Sequence, residues 1–471
     1  MKNVLFLFLL LSLALSPSAF AHKKASYNLI VDTDCGIDDF RMLQMLLASP
    51  EFNLNACITS DGVLGPDQGA GRIRGMLDHY GHQGVPVAAG KSIELDFSHR
   101  NVAKRFVWPG EISKEYRNDA VELIHERLRA HPSKDIYLVS GSLTNLAALI
   151  RKYPEALDEI SRIVWYHNPA EPEMNYTRDT VAAEFVLSKV PDIDFVHAGD
   201  QNKIGNDFFS LLKTLRNPYA AAIVDYYGDD LSTYGENSIF RQCMDDYLPL
   251  FLCFPEYFEK NQKAYTPIET KELEMLMLGM LDTDKPTEGV IYKNLPVDRH
   301  WLRDDVARLA DTLIKTHGYD EFQVVAMTNE FHGHLGIYSI MGAKMGLRAM
   351  QYFSVGLDEL EVWSYAGNTP PLSCMHDGLQ FSTGASLGYG SIHVPEDVDI
   401  MPKAVFVYKG QKVSIALREN LIDVFEKQIQ SSIEAHGLLT EAYWNDIRRV
   451  ALDYWLDLNK QDIFIISTPA E

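Results

Sequence analysis

From Asn28 to about Gly199, short apolar runs alternate with stretches whose apolar residues recur every three or four positions. The runs Leu29–Val31, Leu54–Thr59, Ile136–Ser140, Ile163–Tyr166 and Ile193–Ala198 predict buried strands. The stretches Phe40–Leu47, Gly69–Tyr80, Asp119–Ala130 and Leu143–Lys152 predict the helices between them. This alternation predicts a mostly parallel sheet with flanking helices, whose right-handed crossovers bring the strand ends to one edge.

Residues 205–285 read as helix-rich, with Asp225-Tyr226-Tyr227-Gly228-Asp229-Asp230 as solvated loop. A helical stretch Trp301–Thr316 ends at His317-Gly318-Tyr319-Asp320, a helix stop and the expected domain boundary. Beyond it glycines become frequent and alternating runs such as Leu360–Tyr365 and Ala404–Tyr408 predict strands. The expected organisation is an α/β domain over 26–316, a smaller α+β domain over 317–430 and a helical extension over 431–471. The extension carries Tyr443, Trp444, Tyr454, Trp455 and the apolar run Ile463–Ile466, a composition suited to packing on either domain or to a homo-oligomer interface.

The first residues add a compartment. Met1-Lys2-Asn3, an apolar core from Val4 to Leu15 and the small-x-small site ending at Ala21 predict a signal peptide over 1–21 and an exported, periplasmic or secreted protein. No cysteine at the cleavage site offers a lipid anchor, and no later run is long enough to span a bilayer. A net charge of −22 over 471 residues argues against nucleic acid or an anionic membrane surface as partner. Five cysteines in a chain of this size make no disulfide framework, although export would permit a bridge.

The chemistry concentrates after the first strand. Asp32-Thr33-Asp34-Cys35-Gly36-Ile37-Asp38-Asp39 packs four carboxylates into eight residues where open α/β sheets place their ligand sites. Crowded carboxylates repel and raise one another's pKa, so they call for a cation, most simply a hard divalent metal. The stretch resembles the signature of the inosine–uridine preferring nucleoside hydrolases. Further similarities follow in order: Thr59-Ser60-Asp61-Gly62; Ser140-Gly141-Ser142-Leu143-Thr144-Asn145-Leu146-Ala147; Glu173-Met174-Asn175-Tyr176-Thr177-Arg178-Asp179; and Met244-Asp245-Asp246-Tyr247-Leu248, read against the family's His-Asp-x-Leu.

The resemblance implies a nucleoside-hydrolase-like sheet and an N-ribohydrolase acting on a small ribosyl substrate. It also implies a Ca²⁺ ion held by Asp34, Asp39, Asp246 and the main-chain carbonyl of Thr144. Asp34 is then the general base for a water made acidic by the ion, and Asp38, Asn168, Glu173 and Asn175 hold the ribose hydroxyls. The water attacks the anomeric carbon as an oxocarbenium-like transition state develops. Three departures stand out: Cys35 replaces the usual proline, Asp61 replaces an asparagine, and Asp245 stands at the histidine credited with assisting the leaving base. His167 and His197, near strand ends, are the alternative acids. A haloacid-dehalogenase-type reading of Asp32-Thr33-Asp34 fails at Gly36, where that motif needs Thr or Val, and at its later acidic motif, for which Gly199-Asp200 and Asp207 have the wrong spacing.

The second domain has its own resemblance. Asn329-Glu330-Phe331-His332-Gly333-His334-Leu335, then Ser373-Cys374-Met375-His376-Asp377-Gly378-Leu379 and a glycine-rich turn through Gly390, look like the FmdE family of formylmethanofuran dehydrogenase. His332, His334 and Cys374 are the residue types of a borderline-soft metal site, with Zn²⁺ the usual occupant. Gly336 and Ala385 stand where that family has cysteines, and no Cys-x-x-Cys pair remains, which disfavours cluster chemistry.

Three functions follow: an exported Ca²⁺-dependent N-ribohydrolase fused to a metal-binding domain, a ribose-binding protein that has lost turnover, or an enzyme whose main reaction belongs to the second domain.

Overall fold

The computed structural model describes residues 27–93, 107–130, 134–171, 173–199, 203–228, 238, 241–261, 264–268, 270–283 and 298–469. The expected signal peptide lies outside them. Among the described residues no helix is long and apolar enough to cross a membrane.

The first domain is an eight-stranded sheet: β1 (Tyr27–Thr33), β2 (Phe52–Thr59), β3 (Val87–Ala89), β4 (Asp135–Val139), β5 (Ile160–Tyr166), β6 (Asp194–Val196), β7 (Phe258–Asn261) and β8 (Ala264–Pro267). The order is β3-β2-β1-β4-β5-β6-β8-β7, all parallel except the β7–β8 pair. β2 and β4 are buried along their whole lengths, which explains why they read as unbroken apolar runs rather than as alternation. The crossover helices are α1 (Ile37–Ala48), α2 (Pro66–His79), α3 (Ala120–Arg129), α4 (Thr144–Lys152) and α5 (Thr180–Lys189). α6 (Pro218–Tyr227) and α7 (Tyr247–Cys253) pack on α1. Strand order reverses direction between β1 and β4, and a crevice opens at such a switch, outside the carboxyl ends of the strands.

The second domain begins with α8 (Tyr319–His332) and α9 (Ile337–Phe353) and continues with β9 (Glu361–Ser364), α10 (Met375–Thr383), β10 (Ile392–His393), β11 (Lys403–Tyr408) and β12 (Gln411–Leu417). α11 (Glu419–His436), α12 (Glu441–Asp457) and β13 (Phe464–Ser467) complete it. Its five strands run β10-β9-β11-β12-β13. Residues 431–471, expected as a separate extension, therefore supply the edge strand of this sheet, and Trp455 of α12 is stacked on Phe322 in its core. The apolar run Ile463–Ile466 pairs with β12, whose position about fifty residues earlier hides the pairing from local pattern.

The second domain docks on the amino-terminal end of the first sheet. Tyr408 Oη donates to Asn55 Oδ1 at 2.7 Å, the Gly356 N–H to Asn53 Oδ1 at 3.1 Å, and Arg348 Nη1 to the Gly81 carbonyl at 2.8 Å. His82 is buried between the domains, its Nδ1 2.6 Å from the Gln351 carbonyl and its Nε2 2.8 Å from Tyr219 Oη. The carboxyl ends of the strands, where Asp34 and Asp39 lie, are on the opposite side.

Candidate functional site

The chain leaves β1 at Thr33 and enters α1 at Ile37, so the acidic stretch is folded into one tight loop and a first helical turn. Asp34, Asp38 and Asp39 are all buried. Asp39 is held from three directions: Ser140 Oγ at the end of β4 donates to its Oδ1 at 2.5 Å, Thr33 donates to the same oxygen, and the Gly36 N–H donates to Oδ2 at 2.7 Å. Asp34 closes against Gly62, where any Cβ would run into its carboxylate, and receives the Val63 N–H. Cys35 has φ +66° and its N–H donates to Thr33 Oγ1 at 3.1 Å. A proline reaches neither that φ nor that hydrogen bond, so the departure from the family's proline changes the loop's path as well as its stiffness.

The fourth carboxylate is Asp245. Asp38, Asp39 and Asp245 each place a carboxylate oxygen within 4.8 Å of the others, the geometry of a cation site. Asp245 Oδ1 is buried without a hydrogen-bond partner. Asp246, expected as the ligand, is turned away: Arg41 Nε and Nη2 grip its two oxygens at 2.8 and 2.6 Å, and both side chains are almost wholly buried. The correction has a physical reason. Asp246 is the residue before α7 and Asp245 the one before that, so the turn points adjacent carboxylates to different sides, one at the cluster and the other at the arginine. Aligning Asp245 with the family's aspartate moves Met244 to the histidine position and gives up the leucine match at Leu248.

Burial pushes Asp38 up to about 7, with Asp39 adding to the rise and Arg41 opposing it. Burial also raises Asp34 and Asp245 well above the usual carboxylate range, helped in each case by the charge of Asp39. Asp34 is hydrogen-bonded to Asp39, and Asp245 to Asp38. Without a cation, these pairs must share protons. Donors that are all carboxylate oxygen, an orphaned buried oxygen and mutual repulsion together fit a hard divalent ion such as Ca²⁺.

The remaining residues take supporting places. Asp32 accepts from Tyr137 Oη at 2.8 Å and from Asn145 Nδ2, and burial pushes it up to about 7. Thr144 opens α4, its hydroxyl donating to Asp179 Oδ2 at 2.8 Å. Asn175 spends its amide N–H groups on the carbonyls of Ser140 and Tyr166, tying β4 to β5 and leaving Oδ1 as acceptor. Glu173 Oε2 accepts the Asn168 N–H at 3.1 Å, and Asn168 Oδ1 accepts the Ala170 N–H at 3.0 Å.

Asp61 is ion-paired with buried Arg178 and accepts from Ser92 Oγ and the Ile93 N–H, so the residue that replaces an asparagine is committed to structure. His167 is stacked between Trp165 and Tyr176, and burial lowers it to about 4, which removes it as a proton donor near neutrality. His197 Nδ1 accepts the Gly199 N–H at 3.1 Å.

Sequence reasoning missed Arg41, Asp245 and Tyr227. The signal for Arg41 was a lone arginine within the apolar run of α1, because a buried guanidinium must find an anion. Tyr227, expected as solvated loop, is the buried last residue of α6 and accepts from Arg41 Nη1 at 2.6 Å; Asp229 and Asp230 lie outside the described residues.

In the second domain, His332 closes α8, Gly333 caps it with φ +83° and α9 starts at Ile337, so His-Gly-His joins two helices rather than opening one. His332 Nδ1 lies 2.7 Å from Asp377 Oδ2, while its Nε2 is buried without a hydrogen-bond partner. The Nε2 atoms of His332 and His334 both lie 3.5 Å from the place a Cβ on Gly336 would occupy. An imidazole whose Nδ1 faces a carboxylate and whose Nε2 is bare fits a borderline-soft cation. Cys374 does not join them: among the described residues, the only cluster of three or more potential ligands is that of Asp38, Asp39 and Asp245. Cys374 precedes α10, and burial pushes its thiol up to about 11.

Residues 29–305 match the family described as inosine-uridine preferring nucleoside hydrolase. Residues 331–464 match that described as FmdE, molybdenum formylmethanofuran dehydrogenase operon. The chain is similar to uridine nucleosidase 1 of Arabidopsis thaliana, 28% identical over 218 residues, which are 42% of this chain and 65% of that protein. It is similar to the inosine-uridine preferring nucleoside hydrolase of Leishmania major, 31% identical over 186 residues, 36% of this chain and 59% of that protein. It is also similar to probable uridine nucleosidase 1 of Oryza sativa subsp. japonica, 28% identical over 308 residues, 59% of this chain and 92% of that protein. The chain thus spans less than two thirds of the length of the first two relatives and nearly all of the third.

Proposed function

Because the chain belongs to the inosine-uridine preferring nucleoside hydrolase family, we propose that it is an exported, Ca²⁺-dependent N-ribohydrolase that cleaves the N-glycosidic bond of a ribonucleoside or related ribosyl compound. The observation that carries the reading is the convergence of Asp34, Asp38, Asp39 and Asp245 at the strand-order switch, with one buried oxygen lacking a partner. Asp38, Asp39 and Asp245, with the Thr144 carbonyl as the resemblance implies, would hold the ion. Ca²⁺ bound there supplies the charge that makes a neighbouring water acidic. Asp34 takes the proton of that water. The free oxygens of Glu173 and Asn175, with Asp38 and Asn168, receive the ribose hydroxyls and fix the anomeric carbon in line with the water. In the second domain, His332 and His334 hold Zn²⁺, with Asp377 orienting the His332 ring.

The test is release of free ribose from a panel of nucleosides with added Ca²⁺. Asp34→Asn is expected to lower the rate by roughly 10³-fold while leaving the fold intact. Ribose bound by the wild-type chain but released from no nucleoside would instead establish a binding protein, and full activity in Asp34→Asn would move the chemistry to the second domain.

A further inference from the structure

We propose that the buried Arg41–Asp246 ion pair is a brace that selects Asp245, rather than its neighbour, for the cation site, making Arg41 and Asp246 positioning residues that do not touch the ion. The inference rests on the Ca²⁺ reading above. Arg41 sits on α1 immediately after Asp38 and Asp39, so one helix carries both cluster carboxylates and the guanidinium. Across the crevice, Arg41 Nη2 donates to the Gln242 carbonyl at 2.6 Å as well as to Asp246, and the Met244 N–H donates to Asp246 Oδ2 at 3.2 Å. Residues on both sides of Asp245 are therefore fixed to α1 or to each other, and the side chain between them is left facing Asp38 and Asp39.

A buried ion pair is a poor source of stability, because desolvation consumes much of its Coulomb gain, and apolar residues of similar volume commonly do as well. Its best-attested use is to fix one register among alternatives. Here the alternatives are adjacent carboxylates of equal chemistry. Engaging both oxygens of Asp246 in a fork leaves a single aspartate for the cation. The guanidinium also opposes the repulsion felt by Asp38, so the charge that holds the brace eases the crowding of the cluster.

The experiment measures Ca²⁺ affinity calorimetrically on the full chain after chelator treatment, together with thermal unfolding in chelator. Replacing both partners, Arg41→Met with Asp246→Leu, removes the brace without orphaning a charge. The expected result is unfolding close to that of the wild type with Ca²⁺ affinity at least about tenfold weaker. A folded double variant whose affinity stays within about threefold of wild type overturns the brace, because a merely structural pair would be replaced without loss at the ion. Should the double variant fail to fold, Arg41→Lys keeps the charge and loses the fork: weakened affinity supports the proposal and unchanged affinity overturns it. A wild-type chain that binds no Ca²⁺ would instead overturn the functional reading on which the brace depends.

Discussion

The two candidate metal centres solve the same problem with opposite materials. The first gathers carboxylates from one loop, one helix and a turn about two hundred residues away, all buried, so that the empty site is a knot of repulsion relieved by protons or a cation. The second is local: two imidazoles two residues apart, one backed by Asp377, with a bare nitrogen and no repulsion to relieve. The first centre therefore depends on the whole domain's topology, whereas the second depends on one interhelical turn.

The largest expected difference is ligand loss in the first centre. Asp245→Asn should weaken Ca²⁺ binding by more than about 100-fold, because the carboxylate faces the ion directly. Calorimetry on the folded variant checks it, and an unchanged constant would place the ion elsewhere.

Next comes pH. With folded values near 7 for Asp38 and higher for Asp34, the empty cluster holds protons that Ca²⁺ must displace. These carboxyls are raised in the folded state, so their contribution to the stability of the empty protein is present at low pH and lost as pH rises towards and beyond 7. Ca²⁺ affinity should fall roughly tenfold for each proton displaced between pH 8 and pH 6, with matching proton release in buffers of different ionisation enthalpy. Burial lowers His334 below the ordinary imidazole value of 6.5, so proton competition at that nitrogen sets in only at still lower pH.

The smallest effect separates the two histidines from the thiol. Cys374→Ser should leave Zn²⁺ affinity within about threefold, while His334→Ala should reduce it by at least about tenfold. Equal losses in both variants would restore Cys374 as a ligand.

Much of the first domain was legible because parallel strands buried on both faces read as apolar runs and their helices as period-3.6 patterns. The acidic loop was legible because four carboxylates so close together have few structural uses. What stayed hidden was direction. Asp245 and Asp246 are adjacent and chemically alike, and only the turn before α7 decides which one meets Asp38 and which one meets Arg41. Tyr227 read as solvated because its neighbours are acidic, whereas its own side of α6 packs on α1. The second-domain metal set suffered the reverse fault: composition grouped Cys374 with the histidines, but the element it introduces, α10, does not bring its sulfur to them.

The docking of the second domain has a consequence for transport. It seats on the amino-terminal side of the first sheet through the carboxyl-terminal end of α9, while His332 and His334 precede the other end of that helix. The seven residues of β1 span about 23 Å and the seventeen of α9 about 25 Å. A product leaving the carboxylate crevice therefore has no covered passage to the imidazoles and must cross open solvent. The fusion delivers two activities to one place and in equal number, without handing a molecule from one to the other.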